Sequence, residues 1–137
     1  MTNINVIENK ISSVKKYLAI LKTYKKHTAK DLSGDLTLKG AVERYLYLAT
    51  QATLELGEAF IALRKLRKPS IYSETFEILK EADIIDNELA EKLVNMVGFR
   101  NAIAHDYEKL DLDIMCDVLQ NKLIDVENFV KSIEKQF

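Results

Sequence analysis

The sequence predicts an all-α, up-down helical bundle of three long helices with one or two short ones, folded as one domain over residues 1–137. Three observations lead there. The composition, 47% hydrophobic and 30% charged with one proline and four glycines, suits a helical globule and argues against a turn-rich β protein or a disordered chain. Apolar residues recur at steps of three and four through most of the chain. A length of 137 residues is enough to bury one core unaided.

Ile4, Ile7, Ile11, Val14, Leu18 and Leu21 set the first stripe and predict an amphipathic helix to about Thr28. Asp31 to Asp35, with Gly34 among polar residues, reads as a loop. The next stripe runs Leu38, Val42, Tyr45, Leu46, Ala49, Thr53, Leu56, Phe60 and Leu63, with Tyr47, Leu54 and Ile61 beside it. A helix apolar on more than one face belongs at the centre of a bundle. Arg67-Lys68-Pro69-Ser70 stops it, because proline breaks the hydrogen-bond ladder and disfavours the α region for its predecessor. A short helix follows from about Ser73 to Ala82, and Asp86 can cap another carrying Leu89, Leu93, Met96, Val97 and Ile103. The last helix opens near Asp111 or Asp113, with Met115, Leu119, Val126, Val130, Ile133 and Phe137 on one seam.

Several function classes fall away on composition. The single cysteine, Cys116, allows no intrachain disulfide and reads as a packing residue. No apolar run approaches the roughly 18 to 20 residues that span a bilayer, and the first residues do not read as a signal peptide. A cytoplasmic protein with no membrane partner is the expectation. Two histidines and one cysteine offer no metal-ligand spacing, and no glycine-rich phosphate loop is present, so neither metal nor cofactor is expected. The net charge of −1 does not advertise nucleic acid. Lysines crowd the first segment (Lys15, Lys16, Lys22, Lys25, Lys26, Lys30) and basic residues the end of the second (Arg64, Lys65, Arg67, Lys68). Such runs are more often solvated helix faces than phosphate tracks. His27, in a lysine-rich helix end, gets no role, and Tyr17, Tyr45, Tyr47 and Tyr72 read as core or interface aromatics.

One dense polar cluster remains, Arg100-Asn101-Ala102-Ile103-Ala104-His105-Asp106-Tyr107. Arg100 lies four residues after Met96 and seven after Leu93, so it continues an apolar stripe. A guanidinium there wants a carboxylate or a bound anion, because desolvating it unpaired is costly. His105 is five residues further, a rotation of roughly 140° on an ideal helix. Either the helix breaks near Ala104, or a two-fold axis brings the segments of two chains together.

The cluster resembles the Arg-x4-His-x-Tyr signature of HEPN-domain ribonucleases, in particular the HepT-like toxins that pair with a minimal nucleotidyltransferase antitoxin. Met96-Val97-Gly98-Phe99 looks like the run that leads into the motif. Ala41-Val42-Glu43-Arg44-Tyr45-Leu46 resembles the start of the family's second helix, and Phe76 to Glu81 with Ile84-Ile85-Asp86 its middle segment. The likeness covers roughly residues 38 to 112, the terminal helices agreeing only in type. It implies a homodimer with the motif at a helix end beside the dimer cleft, and metal-independent cleavage of RNA, plausibly tRNA or mRNA.

In that chemistry His105, with an ordinary imidazole pKa of about 6.5, moves the proton of a ribose 2′-OH or of the leaving 5′-oxygen. Arg100 holds the scissile phosphate. Asn101 is a supporting residue whose amide orients the histidine or a phosphate oxygen. The resemblance makes Tyr107 the tyrosine that the antitoxin modifies with AMP, blocking RNA by bulk and charge. Two rivals stand beside this reading. One is a catalytically silent HEPN module that binds a nucleotidyltransferase partner or a nucleotide; the other is a plain bundle adaptor in which Arg100 is a structural ion pair.

Overall fold

The helix that the sequence makes apolar on several sides is the axis of the molecule. In the computed structural model, which describes residues 3–105 and 111–137 and, within 102–105, the backbone alone, α3 (Leu36–Leu63) is the longest element. Helix α1 (Ile4–Lys22) runs antiparallel along it: Lys10 meets Glu55 near one end, and Tyr17 and Tyr24 lie 6.4 Å from Tyr45 near the other. Helices α4 (Glu74–Glu81) and α5 (Asn87–His105) pack on another side of α3. The C-terminal run, α6 (Leu112–Asp117), a π-helical turn at Val118–Lys122 and α7 (Leu123–Glu134), closes the bundle against α1, α5 and the short α2 (Ala29–Ser33). Phe60, Phe76 and Phe129 are fully buried at its centre, each worth roughly 1.5–3 kcal/mol of burial. Phe76 and Phe129 meet edge to face at 5.6 Å. The all-α bundle expected from the stripes is the fold observed.

The differences are local. The first helix ends at Lys22, not Thr28, and the supposed loop holds a short helix, α2 (Ala29–Ser33). A capping box forms it: the Asp31 N–H donates to Thr28 Oγ1 at 3.2 Å, and the Thr28 N–H donates to Asp31 Oδ2 at 2.9 Å. Leu32 is buried by the turn so made. Helix α3 stops at Leu63, before the proline expected to stop it. Lys65 takes φ 55°, and the Leu66 N–H donates to the Ile61 carbonyl at 3.0 Å, a Schellman closure that brings Leu66 back onto the core. The last helix is not uniform, because the π turn at Val118–Lys122 interrupts it between buried Leu119 and Leu123. Phe137 lies beyond the helix and half outside the core, edge-on to Phe60 at 6.1 Å, with the Arg64 guanidinium over both rings.

Gly57 sits where α3 crosses α4, and a Cβ there would lie 2.8 Å from Thr75 Cγ2. Gly40, also in α3, has nothing within 4 Å of such a Cβ. Gly57→Leu is therefore expected to lower stability by about 1–3 kcal/mol through overpacking. Gly40→Ala should gain roughly 0.5–1 kcal/mol through helix propensity. Urea unfolding of the pair checks the contrast, and equal effects would contradict the crossing geometry.

Candidate functional site

Part of the basic runs noted in the sequence is spent on structure. Arg67 forks onto Glu81 at 2.8 and 3.0 Å and reaches Glu74 at 3.0 Å, which holds the Glu81 carboxyl below the ordinary carboxylate range. Lys15 pairs with Glu134 and Lys22 with Glu127. His27 is half-buried rather than solvent-facing, with Nδ1 3.6 Å from Asp31 Oδ2. Cys116 is buried, and that burial pushes its thiol pKa up, as a packing residue's should be. Among the described residues no three His, Cys, Asp or Glu side chains gather into a possible metal site.

Arg100 is different. Asp86 caps α5 by accepting from the Leu89 N–H at 2.8 Å, which starts the register that buries Ala90, Leu93, Met96 and Val97. Arg100 follows on that stripe and is only 9% exposed. The charge meets no carboxylate in an ion pair among the described residues. Its NH1 donates to Gln51 Oε1 at 2.9 Å, its NH2 to Asn101 Oδ1 at 2.6 Å, and its Nε has no partner among the described residues. The rings of Tyr72 and Tyr47 flank the guanidinium at 5.0 and 6.0 Å. Neutral amides and aromatic faces orient a cation without neutralising it, so its charge stays available to an anion. Asn101 thus holds the arginine in this structure.

Gln51 is itself fixed. Its Nε2 donates to Glu55 Oε1 at 3.1 Å, and Glu55 Oε2 accepts from Lys10 Nζ at 3.1 Å. Because arginine only donates, the amide must turn its oxygen to Arg100 and its nitrogen to Glu55. The composition reading passed over Gln51. The available signal was a polar row, Tyr47, Gln51, Glu55 and Glu58, at helical spacing on an otherwise apolar helix. Gln51→Glu keeps the hydrogen-bond geometry yet sets a carboxylate against Arg100. We expect it to weaken affinity for single-stranded RNA by about tenfold or more, while Gln51→Ala should do so less. Fluorescence anisotropy checks this, and equal binding by Gln51→Glu and the parent would contradict it.

Helical backbone continues through His105, so the break expected near Ala104 does not precede the histidine. The backbone positions of Arg100 and His105 therefore stand roughly 140° apart around α5. The side chain of His105, with Ile103 of the apolar stripe, lies outside the described residues, as does Tyr107.

A helical bundle with a buried arginine that forms no ion pair among the described residues, five positions before a histidine at a helix end, has the make-up of a HEPN-type protein. The chain belongs to the ribonuclease HepT-like family, whose model matches residues 11–133. The match reaches into both terminal helices, beyond the residues 38–112 that carry the resemblance in sequence. The mRNA nuclease HepT of Shewanella oneidensis is 29% identical over 133 residues, covering 96% of this chain and 98% of that one. The tRNA nuclease HepT of Aphanizomenon flos-aquae is 29% identical over 113 residues, 81% of this chain and 77% of that one. Among solved structures, a tri-AMPylated Shewanella oneidensis HEPN toxin in complex with an MNT antitoxin superposes with a TM-score of 0.86 at 28% identity, covering 95% of this chain and 97% of that one.

Proposed function

We propose that this chain is a cytoplasmic endoribonuclease toxin that folds and acts as one domain, residues 1–137, and works as a homodimer whose two copies of Arg100 to Tyr107 face one cleft. The observation that carries the reading is the Arg100 guanidinium, buried and oriented with no carboxylate ion pair among the described residues. Arg100 binds the scissile phosphate and stabilises the charge that grows on its non-bridging oxygens. His105 takes the 2′-OH proton as that oxygen attacks phosphorus, the P–O5′ bond breaks, and the 5′-oxygen leaves protonated by the partner's imidazole or by water. The products are a 2′,3′-cyclic phosphate and a 5′-hydroxyl. An internal nucleophile needs no metal-bound water. The substrate is single-stranded or looped tRNA or mRNA, and the two relatives named for those RNAs support the class. A minimal nucleotidyltransferase antitoxin silences the chain by placing AMP on Tyr107, a reading supported by the AMPylated structural relative.

The adaptor alternative predicts an ion pair at Arg100, and among the described residues the arginine forms none. Purified chain is expected to sediment as a dimer at micromolar concentration and to degrade total RNA in excess EDTA, and His105→Ala is expected to lose about 10²–10⁴ of the rate. Undiminished cleavage by His105→Ala would sink the assignment. Failure of the parent chain to cut any RNA would favour the silent module.

A further inference from the structure

Beside Arg100 lies a cleft of about 340 Å³ between α3 and the segment leading into α4, lined by Glu58, Pro69, Ser70, Ile71, Tyr72 and Thr75. Tyr72 joins it to the arginine: its ring lies 5.0 Å from the guanidinium, yet the residue is 54% exposed. Glu58 makes no hydrogen bond or ion pair among the described residues, so its carboxylate stands unused at the wall. Thr75 is fully buried at the floor, its methyl against Gly57 and its hydroxyl without a partner among the described residues.

We propose that this cleft is a nucleobase subsite that selects guanine next to the scissile phosphate, with Tyr72 as the stacking platform and Glu58 as the specificity-determining acceptor. The inference rests on the nuclease reading, in which Arg100 holds that phosphate. A single-stranded base next to it can leave the stack and lie on an aromatic face, which single-strand binders use at each subsite. Chemistry at the wall then sorts the bases. Guanine presents two adjacent donors, N1–H and N2–H, that match both oxygens of a carboxylate. Adenine and cytosine present an acceptor beside their amino group, which a carboxylate repels, and uracil offers one donor between two acceptors. Partial exclusion of water and the neighbouring Glu55 charge raise the Glu58 carboxyl above the ordinary carboxylate range, while the Lys10 and Arg100 charges act to keep it ionised.

The test is cleavage of uridine-rich oligonucleotides that each carry one guanosine, adenosine or cytidine. The parent chain should cut next to guanosine at least about tenfold faster than elsewhere. Glu58→Gln should bring the sites within about threefold of each other by slowing the guanosine site alone, because its amide nitrogen faces a donor. Tyr72→Ala should lower kcat/KM about tenfold at every site with KM carrying most of the change, and Tyr72→Phe should restore it. Both residues are exposed, so circular dichroism of the variants should match the parent. Parental cleavage that is strong but unchanged in rate and preference in Glu58→Gln and Tyr72→Ala would overturn the subsite and leave the nuclease standing. A parent chain that cuts none of the oligonucleotides would overturn both.

Discussion

Arg100→Met is expected to lose RNA cleavage by about 10²–10³-fold or more while the protein still folds. The two losses separate because the guanidinium does two jobs. Its stem fills space on the α5 stripe, which an unbranched methionine can also fill, whereas its fork supplies charge that methionine lacks. Truncation is harsher on the fold: Arg100→Ala would leave a cavity between Tyr47 and Tyr72 and strip Gln51 of its donor, at a cost of roughly 2–4 kcal/mol. Inactive but folded Arg100→Met, with Arg100→Lys only partly active because a lysine lacks the planar fork, is the expected series. An Arg100→Met variant with more than a tenth of parental activity would remove the arginine from the chemistry.

Co-expression with a minimal nucleotidyltransferase should give the parent chain AMP-sized mass additions at Tyr107 and suppress its cleavage to a few per cent or less. Tyr107 follows His105 by two residues. A phosphodiester attached there would compete with the RNA backbone for Arg100, and the nucleotide would fill the cleft by volume. Tyr107→Phe should keep most of its cleavage yet escape the antitoxin. Additions mapped instead to Tyr72, which is exposed beside the arginine, would move the regulation to the proposed base platform.

Legibility in the sequence followed how local each determinant is. The α3 and α5 stripes were readable because burial at three- and four-residue steps repeats along one element, and Asp86 was readable as a cap because its partner is Leu89, three residues on. Helix α2 was hidden by its length: Thr28 and Asp31 make the capping box, but five residues hold no period. The end of α3 was misplaced because a proline is conspicuous, while Lys65 in the left-handed region leaves no compositional mark. At the site, Arg100 was conspicuous as a charge on an apolar stripe. Its partners were not, since Gln51 is 49 residues away and Tyr72 reaches it from a loop, and long-range pairings have no spacing to read. That Arg100 forms no ion pair with a carboxylate among the described residues emerged only with the fold.

The central claim is that Arg100 and His105 cleave RNA through its own 2′-oxygen. The most direct test is the chemistry of the ends produced when the purified chain cuts one single-stranded oligonucleotide in excess EDTA. Undiminished cleavage is expected, with 2′,3′-cyclic phosphate on one fragment and 5′-hydroxyl on the other. Cleavage that stops with the chelator and, when metal is restored, leaves 3′-hydroxyl ends would contradict it.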